Sequence, residues 1–171
     1  MTAKERREKI LEILKEAEEP ISGSELAKIF GVTRQIIVQD IAILRAKGSR
    51  IISTPQGYIV DLVREGTKKR VFAVKHGYER TEEELNLIVD NGGKVLDVIV
   101  EHPYYGELKG LLMLSSRYDV AKFMEVIKKE KAALLSSLTG GVHLHTVEAE
   151  SDEALDRIEK ALRDRGFLIE E

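Results

Sequence analysis

The stretch from residue 22 to residue 48, SGSELAKIFGVTRQIIVQDIAILRAKG, constrains the fold more than any other part of the chain. It predicts two helices joined by a sharp turn. The first helix covers Ser24 to Phe30, and Gly31 then supplies a residue that can leave a helix at positive φ without strain. Thr33 is suited to cap the second helix, which we expect to extend to about Lys47.

The second helix has one apolar and one polar face. Ile37, Ile41 and Leu44 recur at i, i+4 and i+7, which predicts that they face a core. A short helix, a glycine turn and a longer helix with polar residues at its start are typical of a helix-turn-helix, whose second helix reads base edges in the major groove. An αα-hairpin from another small helical domain would fit this motif alone. The candidate DNA-contacting residues are Thr33, Arg34, Gln35, Gln39, Arg45 and Gln56. Of these, Gln56 lies in the segment that follows the second helix.

The segment from Ser49 to Val60, SRIISTPQGYIV, favours DNA binding over the general hairpin. Pro55 and Gly57 suit a tight turn between two short strands of β-branched residues. A two-stranded ribbon directly after a recognition helix is a wing, which lies along the phosphate backbone. An amphipathic helix over residues 3–17 completes a predicted winged helix-turn-helix domain at residues 1–62. Within it we expect Arg34, Gln35 and Gln39 to contact bases, and Arg45 and the wing to contact phosphate.

Charge and composition agree with such a domain. The net charge is −3, but residues 1–60 carry ten lysines and arginines against eight acidic residues, so the acidic excess lies in the remainder. A mildly basic head suits a site-specific DNA binder that makes a few placed phosphate contacts. The absence of cysteine excludes disulfides and thiolate metal sites. No apolar run could span a bilayer and the N-terminus lacks signal-peptide features, so we expect a cytoplasmic protein without membrane contact.

A second domain is predicted at residues 70–171, after a polar linker from Asp61 to Arg70. Some connections between its strands are too short for crossover helices, which favours a mostly antiparallel or mixed sheet packed by helices, an α+β fold. Thr81 is the expected cap of its first helix. Strands are predicted at residues 71–75, 94–101, 108–114, 142–149 and 167–169, and helices at 82–90, from 117 onward and at 152–164.

All four histidines of the chain fall in this second domain. His143 and His145 would project from the same face of a strand, about 6–7 Å apart at the backbone, which allows both rings to bind one ion. With His76 and Glu84 they would offer three imidazoles and a carboxylate, a set that suits zinc, nickel, iron or cobalt. Two other interpretations stay open from the residues alone. The histidine pair can be a polar surface feature, and the spacing of Thr81 and Glu84 favours a capping box.

Two loops could complete a binding site for a small molecule. The segment EHPYYG clusters a histidine with two tyrosines that can stack on a flat ring, and the glycine-rich segment SSLTGG can offer backbone N–H groups to an anion. Ordinary turn chemistry would explain both loops equally well. The candidate ligand-binding residues are His102, Tyr104, Tyr105, Ser136, Ser137, Thr139 and Gly140.

The segments FAVKHG, VEHPYYGELKG and SSLTGGVHLHT, behind GxxLAxxFxVTRQxIVQDIAxLRAxG, resemble the niacin-responsive repressors of NAD biosynthesis and nicotinate uptake. These regulators carry a winged helix followed by a three-histidine domain, and the resemblance covers about residues 6–170. It implies a homodimeric repressor with nicotinic acid as co-repressor. It also implies one divalent metal per subunit, nickel or zinc, with Glu84 as a ligand instead of a cap. The implied metal ligands are His76, Glu84, His143 and His145.

Two other classes of function remain as alternatives. The second domain could be a metal-dependent hydrolase fused to a DNA-binding head, or a module that only dimerises. The chain has no HExxH motif and no second carboxylate placed as a general base. We therefore expect that the protein is not an enzyme.

Overall fold

A computed structural model describes residues 1–61, 66–129 and 133–170 of the chain. The chain divides into two compact units, Met1–Val63 and Arg64–Glu171. Part of the predicted linker, residues 62–65, lies outside the described residues. The remainder of that linker is not all loop, because the first strand of the second unit already begins at Lys68. Among the described residues no helix is both long and apolar enough to cross a membrane.

The first unit is a three-helix domain with a two-stranded wing. Each helix begins at a residue whose side-chain hydroxyl accepts a backbone N–H of the first turn; these residues are Thr2, Ser22 and Thr33 respectively. The hydroxyl thus satisfies a donor that has no partner within the helix. Gly31 ends the second helix at φ 64° as predicted. The elements are α1 (Ala3–Glu16), α2 (Gly23–Phe30), α3 (Arg34–Ala46), β1 (Ile51–Thr54) and β2 (Gly57–Val60).

The predicted inward face of α3 is confirmed. Ile37, Ile41 and Leu44 are buried together with apolar residues of α1, α2 and the wing. Asp40, on the same helix, is also buried and forms ion pairs with Arg6 and, more distantly, with a second arginine of α1. These contacts fix α3 against α1.

The second unit is one antiparallel sheet packed by helices, so the predicted α+β fold is confirmed. Its four strands lie in the order β3-β6-β4-β5, and every pairing is antiparallel. The element bounds differ from the predicted ones by at most three residues. The elements are β3 (Lys68–Lys75), α4 (Thr81–Asp90), β4 (Lys94–His102), β5 (Gly106–Leu114), α5 (Arg117–Lys129), β6 (Val142–Ala149) and α6 (Asp152–Asp164), with 3₁₀ helices at Tyr78–Arg80 and Leu135–Thr139.

The helices cover one face of this sheet, and that face carries the histidine pair. His145 pairs with Phe72 and His143 with Val74, so these side chains lie on the same face. Phe72 and Val74 belong to the core that α4 and α6 complete. The predicted last strand at residues 167–169 is reduced to a single bridge, between Leu168 and Val74.

Strand β4 is irregular. Its register shifts between Val95 and Asp97 relative to β5, and between Val95 and Ile99 relative to β6. Opposite the first shift, Met113 of β5 has a φ of 52°, which is unusual for a residue other than glycine. These features identify a β-bulge in the centre of the sheet, and bulges re-aim the backbone groups around them.

Candidate metal centre and nucleic-acid interface

Three histidines and one glutamate from three elements meet in the second unit. His76 follows β3, Glu84 lies in the first turn of α4, and His143 and His145 lie on β6. All four are buried, and Glu84 is fully so. The Nε2 atoms of His76 and His143 both lie against Glu84 Oε2, the second at 3.3 Å. His145 Nε2 lies 2.7 Å from Glu84 Oε1.

The other nitrogen of each ring determines the tautomer. His76 Nδ1 lies 2.7 Å from the Gly77 carbonyl oxygen. His143 Nδ1 lies 2.8 Å from the carbonyl oxygen of Gly141, and His145 Nδ1 lies 2.6 Å from that of Asp97. A carbonyl oxygen only accepts, so each Nδ1 must donate a hydrogen. In the neutral rings, the Nε2 lone pairs then all point at a carboxylate that also only accepts. Such a set of acceptors is stable only around a cation, either a metal ion or a proton.

The electrostatics of the cluster lead to the same conclusion. Burial alone would raise the pKa of the Glu84 carboxyl, but the charge of His145 and the bond from His143 outweigh it and hold that pKa well below its ordinary value. Burial would lower the pKa of His145, and the Glu84 carboxylate outweighs this and raises it. Positive charge is therefore favoured among the ring nitrogens.

The donor set fits a divalent transition metal. The donor atoms of His76, Glu84 and His143 all lie within 4.8 Å of one another. An ion bound at about 2.0–2.2 Å from each donor holds its donors at most about 4.4 Å apart, so a small inward shift of these side chains would let one ion bind all three. His145 adjoins this group through the second oxygen of Glu84, which has no hydrogen-bond partner of acceptable geometry among the described residues. Each ring also donates its Nδ1–H to a carbonyl, as metal-binding histidines generally do.

The predicted capping box at Thr81 is wrong. A 3₁₀ turn, Tyr78–Arg80, leads directly into α4, so that Thr81 already has helical φ and ψ and lies inside the helix. Its hydroxyl is buried without a hydrogen-bond partner among the described residues. Glu84 faces the imidazoles and does not turn back to the helix start, because the folded sheet brings it stronger partners than one N–H group.

The predicted small-molecule residues of the EHPYYG segment lie at the turn between β4 and β5. The Nδ1 atom of His102 accepts from the backbone N–H groups of Tyr104 and Tyr105, at 3.1 and 3.2 Å. The two tyrosine rings are 89% and 78% exposed. Both rings lie beside the His102 ring, with ring centres 5.7 Å away for Tyr104 and 4.9 Å away for Tyr105, and their role in ligand binding stays a prediction.

The SSLTGG segment is a short 3₁₀ helix and not an open loop. The hydroxyls of Ser137 and Thr139 donate to nearby backbone carbonyls, and Ser136 is buried. Gly140 ends this helix at φ 61°. Gly141 is required by space, since a Cβ atom there would lie 2.3 Å from the His76 carbonyl oxygen. The segment thus fixes the approach of β6 to His76, and its contact with a ligand is again a prediction.

In the first unit, the predicted base-contacting residues Arg34, Gln35 and Gln39 are exposed on α3. Thr33 uses its hydroxyl to cap this helix. Arg45 donates from Nε to the Ile51 carbonyl oxygen at 2.9 Å and from Nη2 to Ser53 Oγ at 2.7 Å, so it ties α3 to the wing.

Gln56 lies at the wing turn, and its backbone N–H donates to Thr54 Oγ1 at 3.2 Å. Its side-chain nitrogen is buried without a hydrogen-bond partner among the described residues. The side chain is thus drawn back toward the wing, and its predicted contact with phosphate requires a change of rotamer.

Two further features were not identified from the sequence. Asp97 is buried in β4, and its carbonyl oxygen holds His145. The Phe167 ring packs edge-to-face on His76 with ring centres 5.5 Å apart, and the Arg80 guanidinium lies 4.0 Å above the centre of the Phe167 ring. A single carboxylate within the apolar run VLDVIV was the available signal for Asp97.

Comparison with known proteins assigns both units. Residues 6–59 match a helix-turn-helix domain family, and residues 69–171 match the 3H domain family. A probable transcription repressor NiaR of Thermotoga maritima is 48% identical over 98% of this chain and 95% of its own length. A transcription repressor NadR of Bacillus subtilis is 46% identical over 97% and 94%. The chain belongs to the family of 3H-domain transcription repressors that includes these NiaR and NadR proteins.

Proposed function

We propose that this protein is a DNA-binding repressor of NAD biosynthesis and niacin uptake genes, with nicotinic acid as its co-repressor. One observation carries the sensing half of the proposal. Three imidazole Nε2 atoms converge on the buried Glu84 carboxylate, with every Nδ1 already bound to a carbonyl oxygen. The names of the two repressor relatives support the DNA-binding half.

The first unit would bind the DNA. Arg34 and Gln35 begin α3 and are exposed, as residues that read base edges must be. Two copies of α3 in a homodimer would enter successive major grooves, one helical turn of DNA apart. We place this activity at residues 1–62 and the regulatory domain at residues 70–171, and we expect the protein to act in the cytoplasm.

The second unit would hold one divalent metal per subunit through His76, Glu84, His143 and His145. Nitrogen and oxygen donors without sulfur suit nickel or zinc. A metal with an open coordination position would act as a Lewis acid that can bind the carboxylate or the ring nitrogen of nicotinic acid. The remainder of the ligand would be held by residues of the two neighbouring segments, His102, Tyr104, Tyr105, Ser136, Ser137, Thr139 and Gly140.

Nicotinic acid would act by favouring one arrangement of the dimer. A ligand shifts such an equilibrium only by its difference in affinity for the two states. In the favoured state the spacing of the two α3 helices matches the spacing of successive grooves. The enzyme alternative is not retained, because the named relatives are transcription repressors.

The test is fluorescence anisotropy of a duplex selected from a random-sequence library for binding to the metal-loaded protein in the presence of nicotinic acid. We expect nicotinic acid to tighten DNA binding, nicotinamide to do so much less, and a chelator to remove the effect. DNA affinity that responds to neither nicotinic acid nor the chelator would contradict the sensing proposal and leave the DNA-binding one. Failure to select any duplex would contradict both.

A further inference from the structure

The bulge in β4 lies beside the histidine cluster. At this point the register of β4 shifts relative to both of its neighbours, and Asp97 is the first residue paired with β5 after the shift. Asp97 is 2% exposed, which is rare for a carboxylate unless it is paired. A charged residue in the middle of a central strand therefore has a specific role in the sheet.

Asp97 contacts β6 through both its backbone and its side chain. Its carbonyl oxygen lies 2.6 Å from Nδ1 of His145. Its carboxylate Oδ1 accepts the backbone N–H of Thr146, the next residue, at 2.8 Å. The side chain thus takes the place of a ladder partner that the bulge removes. Lys109 of β5 adds an ion pair at 3.4 Å, through a side chain that is half exposed.

We propose that Asp97 is a positioning residue for His145. The carboxylate accepts the backbone N–H of Thr146. This hydrogen bond keeps the bulge in place and holds the Asp97 carbonyl oxygen opposite the His145 ring. The carbonyl oxygen then keeps the hydrogen on Nδ1 and leaves the Nε2 lone pair for the cluster. The role in metal binding rests on the proposed function, whereas the role in fixing the tautomer does not.

The alternative is that Asp97 only stabilises the sheet. The two possibilities differ in what the Asp97→Ala and Asp97→Asn variants should lose. An asparagine oxygen can still accept the Thr146 N–H, so Asp97→Asn keeps this hydrogen bond and loses the charge beside Lys109. Asp97→Ala loses both the hydrogen bond and the charge. A positioning role predicts that alanine alters the His145 ring and that asparagine largely rescues it.

The experiment combines two measurements on the full-length chain. ¹⁵N NMR of the imidazoles in metal-free protein, at a pH above their pKa values, reports which ring nitrogen of His145 carries hydrogen. Titration with Zn²⁺ reports metal affinity. We expect that His145 in Asp97→Ala is no longer purely in the Nδ1–H form. We also expect the Zn²⁺ affinity of this variant to fall about 10- to 100-fold, the usual cost of removing a residue that hydrogen-bonds to a metal ligand. We expect Asp97→Asn to stay within a few-fold of the parent.

Asp119→Ala is the matched control. Its carboxylate also accepts a backbone N–H, that of Ser115, but at the exposed start of α5. We expect this variant to leave the His145 tautomer and Zn²⁺ affinity unchanged. If Asp97→Ala matches the parent in both measurements, the inference is overturned.

Two further outcomes are also decisive. If Asp97→Ala does not fold, the parent and Asp97→Asn decide: a slowly exchanging His145 Nδ1–H that is present in the parent and kept in Asp97→Asn supports the inference, and a His145 ring in the Nε2–H form in either protein overturns it. A parent that binds no Zn²⁺ contradicts the proposed function alone, since the tautomer measurement needs no metal.

Discussion

Glu84 is the residue on which the cluster depends. Its carboxylate lies against all three buried rings, and without it a bound cation would lose the negative charge nearest to it in this environment. Its neighbour Glu83 lies on the exposed side of α4, where it pairs with Arg80 at 3.2 Å. Adjacent glutamates with the same helical backbone therefore differ only in what surrounds them, which makes them a natural pair for comparison.

We predict that Glu84→Gln weakens Zn²⁺ or Ni²⁺ binding by more than the roughly 10- to 100-fold that is lost when a residue hydrogen-bonded to a metal ligand is removed. Glutamine keeps the shape and removes the charge that the metal needs. Titration calorimetry measures the affinity, and Glu83→Gln should match the parent. Equal loss in both variants would indicate a general effect of α4 and not a ligand.

We also predict that metal affinity falls steeply as the pH is lowered from about 8 to about 5, because protons compete for the same nitrogens. The raised pKa of His145 means that its proton begins to compete at a higher pH than an ordinary imidazole. Glu84, whose pKa is lowered, stays ionised over this range. Zn²⁺ titrations at several pH values measure the effect, and an affinity independent of pH would contradict the assignment of these rings as ligands.

At the scale of elements, the approach of β6 to β3 depends on one glycine. Gly141 has a φ of 96°, and a Cβ atom would overlap the His76 backbone. Gly140 also has a positive φ, but no atom lies within 4 Å of the Cβ that it would carry. The two glycines thus separate backbone strain from steric overlap.

We predict that Gly141→Ala lowers the free energy of unfolding by more than Gly140→Ala, whose left-handed backbone should cost about 1–2 kcal/mol with an alanine. The alanine at position 141 would also displace His76 and weaken metal binding. Urea unfolding of the metal-free protein measures the first effect and Zn²⁺ titration the second. Equal costs for the two variants would show that the overlap is relieved by a small shift of the chain.

Helix α3 supplies the next prediction. Arg34→Ala and Gln35→Ala should each weaken binding to the selected duplex by about 1–3 kcal/mol, because they remove contacts with base edges. They should leave the thermal stability unchanged, since both side chains are exposed. Arg45→Ala should instead lower stability as well, because Arg45 bonds to the wing. Unchanged DNA affinity in Arg34→Ala and Gln35→Ala would contradict the assignment of α3 as the reading helix.

Most elements could be predicted because their signals are local. The period of Ile37, Ile41 and Leu44 defines α3, and alternation from Val142 to Ala149 defines β6. The cap at Thr81 failed because a capping signature says nothing about partners that are distant in sequence. The role of Asp97 depends on the register of β4 with two other strands, which no local pattern encodes.

At the scale of the whole molecule, the chain joins a helix-turn-helix unit to a 3H unit and belongs to a repressor family. The convergence of His76, His143 and His145 could be anticipated only in part, since their spacing allowed a surface feature as well as a metal site. The fold excludes the surface feature, because it buries all three rings against Glu84, and the metal site stays a prediction. Nicotinic acid is the molecule that we propose the chain senses through this site.

The most direct test is calorimetric titration of nicotinic acid into the full-length protein, once loaded with Zn²⁺ or Ni²⁺ and once stripped by a chelator. We predict saturable binding of one nicotinic acid per chain in the loaded protein and no measurable binding in the stripped one. Equal binding in both forms, or none in either, would contradict a metal-centred nicotinic acid sensor.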